Sequence, residues 1–121
     1  MKTVIAAALI LFLSLATVAG TTAVAALGST KVDALLAAFP EAPEEAEGQM
    51  QALRQEFEQW EPWFSLVCPH SDVMHTAEYL AELEGAIQSK SAASYDTALS
   101  GMKESAEHLR RAILPRWSDL F

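Results

Sequence analysis

Apolar residues fall in two regimes along this chain. Over residues 4–27 (VIAAALILFLSLATVAGTTAVAAL) they run almost without interruption, 24 positions broken only by Ser14, Thr17, Gly20, Thr21 and Thr22 and free of charge. Beyond that run they recur every three or four residues, the spacing of helices with one buried face. As a helix rising about 1.5 Å per residue, the first regime reaches about 36 Å, enough to cross a hydrocarbon layer about 30 Å thick with some tilt. It is longer than the apolar core of most secretory signals, about 7 to 15 residues, which favours an anchor. Thr17-Val18-Ala19 and Ala23-Val24-Ala25 carry the small residues of a cleavage junction, so a cleaved leader stays open as the alternative.

In the second regime, Val32, Leu35, Leu36 and Phe39 mark a helix over 29–39 that continues the apolar one. Pro40 and Pro43 predict a tight connection and a new helix from about Pro43, with Glu44, Glu45 and Glu47 favoured at its positive amino end. Ala46, Met50, Leu53, Phe57, Trp60 and Phe64 follow at intervals of 4, 3, 4, 3 and 4. They predict one buried face over 43–67, kinked at Pro62, where a backbone donor is missing. Cys68-Pro69-His70 reads as a bend, with Ser71 a candidate cap for a helix over 71–88 that turns Val73, Ala77, Leu80, Leu83 and Ile87 inward. Polar residues 89–94 separate it from a last helix over 94–114, with Tyr95, Leu99, Met102, Ala106, Leu109 and Ile113 inward and Pro115 as its end.

No stretch alternates as a strand does, so the expected class is all-α. The expected architecture is a transmembrane or signal helix over 1–28, then an antiparallel up-down bundle of three packed helices over 29–121. The connections are short, which makes successive helices antiparallel.

Charge narrows the partners. Without Lys2 the chain has 7 basic residues against 16 acidic ones, a net charge of −9 on the part beyond the apolar run. That excludes nucleic acid, whose phosphates require a basic face. With Lys2 on one flank of the run and an acidic domain on the other, the amino end is expected in the cytoplasm and the bundle outside it. A single cysteine, Cys68, allows no internal disulfide.

The one cluster of ligand-type residues is Cys68, His70, Asp72 and His75, within eight positions. Structural zinc sites more often join two short-spaced couples from distant parts of a chain, so capping and surface histidines are the preferred reading and no cofactor or metal is expected. His108 stands alone on its helix. Nor does any nucleophile sit in an arrangement with a base and an orienting group, so no enzyme is expected. Antiparallel helices would instead bring Trp60, Trp63 and Phe64, with Arg110, Arg111, Arg116, Trp117 and Phe121, to the membrane-proximal end. Tryptophan suits headgroup depth and arginine an anionic surface, making these the candidate interaction residues; closure of the bundle core is the competing role for the aromatics.

Taken together, Trp60 and Trp63, the Pro69-His70-Ser71-Asp72-Val73 opening of a helix with Tyr79-Leu80 and Leu83, Tyr95 with Ala98-Leu99, His108-Leu109 and the closing Leu120-Phe121 resemble the small bacterial membrane proteins catalogued as domain of unknown function 4363. The resemblance implies a single-anchor helical protein of the cell envelope in Firmicutes-like bacteria, with an integral membrane protein as partner. The expectation is therefore a non-catalytic protein, held in lipid through residues 4–27, whose extracytoplasmic bundle binds or steadies a membrane partner. The alternative is a secreted, signal-cleaved carrier of a ligand or metal that uses the bend from Cys68 to His75.

Overall fold

A computed structural model of the chain describes the backbone of residues 1–120 and the side chains of residues 1–113. Among the described residues the elements are helices and no strand occurs: α1 Lys2–Ala37, a 3-10 turn Pro43–Glu45, α2 Glu47–Val67, α3 His70–Ser89 and α4 Ala92–Leu120. The class is all-α. α1 packs against α2 and α4, while α3 packs against α4 and, along a thinner seam, α2.

The bundle thus has four helices rather than three beside an anchor, because α1 contributes its carboxyl half. Thr22, Ala25, Gly28, Ser29, Val32 and Leu36 are the buried residues of α1. Their three- and four-residue spacing makes a bundle face out of mostly small side chains, so the backbones of α1 and α2 approach closely. Gly28 lies directly under the indole of Trp60, where a Cβ would fall 2.5 Å from the ring.

α2 supplies the centre of the core. Ala46, Met50, Leu53, Phe57, Trp60 and Phe64 are all buried, with the rings of Phe57 and Phe64 tilted at 43° and 6.2 Å apart. α2 runs through Pro62 as one helix. Pro62 and Glu58, whose carbonyl loses its partner, both lie on the exposed face, where solvent is at hand for that carbonyl. α4 likewise continues past Pro115 to Leu120. α3 starts at His70 with Pro69 as the flanking residue, which puts Ser71 inside the first turn rather than at the cap.

Across α3 and α4, the Thr76 and Ser105 hydroxyls share a buried hydrogen bond of 2.6 Å. Tyr79 lies over Gly101, which has no side chain to hold it off. α3 ends with Lys90 in the left-handed region (φ 56°, ψ 32°), which lets the Ser91 N–H close on the Ala86 carbonyl at 3.2 Å. The Tyr95 hydroxyl donates to the Pro40 carbonyl at 2.5 Å and ties α4 to the α1–α2 connection. Arg54 pairs with Glu84 and links α2 to α3.

Candidate functional site

The most distinctive feature of the molecule is the stem of α1. Before Thr22 no residue of this helix is buried, and α1 is the one described helix long and apolar enough to cross a membrane. Two of its hydroxyls are turned back onto the helix. The Thr17 and Thr21 hydroxyls each donate at 2.8 Å to the carbonyl four residues back, those of Leu13 and Thr17. A hydroxyl spent on its own helix is far less costly in hydrocarbon than a free one. Thr22 Oγ1, the first buried side chain of α1, has no partner.

At the root of the stem, Trp60 gathers several contacts. Its ring covers Gly28, its Nε1 donates to Glu56 at 2.7 Å, and Lys31 Nζ sits 5.5 Å from the ring centroid. Trp60 and Phe64, expected on a docking end, are core side chains at 7% and 1% exposure. Their position matches the bundle-closing role. Trp63, one helical turn from Trp60 at the edge of that face, is 37% exposed. Arg110 reaches Asp33 and Glu107, each at 3.9 Å, and Arg111 pairs with Glu107 at 2.9 Å, so both guanidiniums lie in surface ion pairs. The side chains of Arg116 and Trp117, and Phe121 altogether, lie outside the described residues.

Asp33 stands where α1 meets α4. Burial pushes its carboxyl above the ordinary value, Arg110 pulls it down, and Glu107 adds to the rise.

The residues of the bend do not assemble into one site. Cys68 is buried, its Sγ 3.9 Å from the Leu109 carbonyl, whereas His70 and His75 are exposed on α3. Among the described residues no three His, Cys, Asp or Glu side chains are placed to hold a metal ion. The structure makes a different juxtaposition. His75 and His108 line one groove between α3 and α4, of about 560 Å³, with Asp72, Glu78, Glu82 and Glu104 around them. His75 and His108 are 33 positions apart in sequence, and the signal that could have joined them is the facing pair of small polar residues, Thr76 and Ser105. The groove is open and acidic, and suits the loose attraction of cations better than acid–base chemistry.

Compared with known proteins, the chain matches no family model, no curated protein and no solved structure, so the resemblance drawn from Trp60, Trp63, Tyr95 and their neighbours stands on those residues alone.

Proposed function

We propose that this protein is a non-catalytic membrane protein, anchored once through the α1 stem, whose extracytoplasmic helical bundle binds or steadies a membrane partner. The observation that supports this reading most directly is the continuity of α1. Its first twenty or so residues have an apolar surface that none of the described residues buries, and the same helix then becomes a core element of the bundle. An exposed apolar surface of that length is costly in water and favoured in hydrocarbon. Lys2 ahead of the run and the acidic domain behind it orient the amino end toward the cytoplasm. The likeness to the domain of unknown function 4363 proteins supports the same arrangement.

The mass of the mature protein tests this reading. A chain that retains residues 1–27 and fractionates with membranes supports it. A chain recovered from the medium, starting near Gly20 or Ala26, overturns it in favour of a secreted helical carrier. Protease added to intact cells should trim the bundle and leave the stem protected.

A further inference from the structure

Resting on the anchor reading, we propose that the α2–α3 turn seats in the lipid interface at the foot of the stem, with Trp63, Leu66 and Met74 in contact with lipid. The bundle then lies against the membrane surface instead of standing off from it.

The first ground is length. Residues 3–21 form a helix about 28 Å long, close to the thickness of the hydrocarbon layer. The next residue, Thr22, is already fully buried in the bundle. No linker separates the point where α1 leaves lipid from the point where it enters the core.

The second ground is register. Gly28 lies under Trp60, and α2 runs antiparallel to α1 for seven more residues, to Val67. Seven residues of helix carry the end of α2 about 10 Å further toward the stem, to the height of Thr22. The α2–α3 turn therefore lies near the foot of the stem, with the backbone of α4 running on past Leu109, which sits beside Cys68, to Leu120.

The third ground is what that end displays. Beyond the stem, the large apolar side chains left exposed among the described residues are Leu27, Trp63, Leu66, Met74 and Tyr79. Tyr79 rests on Gly101, and the others lie in the stem half of the bundle. Leu66 is 68% and Met74 48% exposed, one in the last turn of α2 and the other in the second turn of α3. A partly exposed tryptophan with aliphatic neighbours is the composition of a membrane–water interface.

Charge points the same way. Residues 62–71 contain no Asp, Glu, Lys or Arg, whereas the α1–α2 connection at the far end carries Glu41, Glu44, Glu45 and Glu47 around its prolines. An anionic lipid surface repels the acidic end and leaves the uncharged turn free to approach. The end of α2 that carries Trp63 and Leu66 packs beside the foot of the stem, which commits the patch to lipid ahead of a protein partner.

The test uses the full chain in vesicles of zwitterionic and anionic phospholipid, with no other protein present. Nitroxide labels go on Leu66→Cys and Met74→Cys, and on Leu11→Cys and Glu44→Cys as stem and distal references, all in a Cys68→Ala background. Labels at 66 and 74 should lose accessibility to a water-soluble relaxation reagent and gain it to oxygen, as at 11, while the label at 44 stays in water. Labels at 66 and 74 as wet as the label at 44, with 11 in lipid, overturn the proposal alone and leave the patch for a protein. A wet label at 11 overturns the anchor reading with it. A second measurement leaves Cys68 in place: Trp63→Phe should abolish a fluorescence component quenched by lipids brominated near their glycerol end. If the lost component is instead one quenched by aqueous iodide, Trp63 faces water and the proposal fails.

Discussion

At the scale of single residues, close approach decides more than size. The Cβ that alanine would add at Gly28 meets the root of the Trp60 indole, at Cγ and Cδ2. Those atoms cannot swing aside as the tip of a flexible chain could, so Gly28→Ala forces α1 and α2 apart or moves the ring off its rotamer. Overpacking of this kind costs about 1 to 3 kcal/mol, and denaturation of the full chain in detergent micelles should show it as a lower urea midpoint. Asp33 makes a prediction of a different kind. Burial, the largest influence, raises its carboxyl above the ordinary 3.8, so the folded chain holds that proton more readily than the unfolded one. The sign follows from linkage: the stability contributed by this group is fully present below pH 3.8 and is lost as pH rises through the folded value. Asp33→Asn cannot ionise and should escape that loss. Its stability relative to the parent should climb across the window just above pH 3.8, offset by the Arg110 pair it gives up, an exposed contact contributing about 0 to 1 kcal/mol. Urea midpoints measured against pH check the slope, and a flat difference between the two proteins would show that burial of Asp33 has no consequence.

Among the helices, α2 and α4 show what proline does and does not decide. α2 keeps its helix through Pro62 because Pro62 and Glu58 face water, but the lost donor remains a cost, about 3 kcal/mol against alanine in a helix interior. Pro62→Ala should therefore stabilise the bundle by about 1 to 3 kcal/mol, read as a higher thermal midpoint with unchanged helix content. A lower midpoint would mean that the packing of Trp60 and Phe64 depends on the backbone that Pro62 imposes. The sequence shows the donor that is missing and the ring that clashes, but not whether the affected turn faces solvent, which is why a kink was expected at Pro62 and the end of the last helix at Pro115. The core face of α2 was legible to the residue, since Ala46, Met50, Leu53, Phe57, Trp60 and Phe64 stand out from a polar background. On α4 the same pattern placed Tyr95, Met102, Ala106, Leu109 and Ile113 in the core, and left Leu99 half-buried. The bundle face of α1 was not legible. Thr22, Ala25, Gly28 and Ser29 sit in or beside an apolar run, where a helix surrounded by lipid and a helix packed on small residues have the same composition. The α3–α4 groove was illegible for another reason: His75 and His108 meet only through the pairing of two helices, which periodicity within each helix does not report.

For the molecule as a whole, the boundary between stem and bundle falls inside α1, and this makes the two candidate junctions unequal. A chain beginning at Gly20 keeps every buried residue of α1, from Thr22 to Leu36. A chain beginning at Ala26 loses Thr22 and Ala25, both 0% exposed, and sets a charged amino group two residues from the Gly28–Trp60 contact. That charge would lie at the positive end of a helix dipole, where cations are disfavoured, and the last turns of α2 would lose the surface they pack on. With the stem removed, the two chains are comparable in aqueous buffer. The chain from Gly20 should unfold as one cooperative unit, and the chain from Ala26 should be less stable by about 1 to 3 kcal/mol, with exchange of amide hydrogens fastest in residues 60–67. Equal stability of the two would mean that α1 joins the bundle only from Gly28 onward, and that Thr22 and Ala25 are covered without contributing. If the predicted difference is found, cleavage after Ala25 would leave a damaged fold and cleavage after Ala19 an intact one. Of the two junctions only Gly20 would then give an intact secreted form, and a chain that keeps its stem has no spacer between the exposed part of α1 and the bundle.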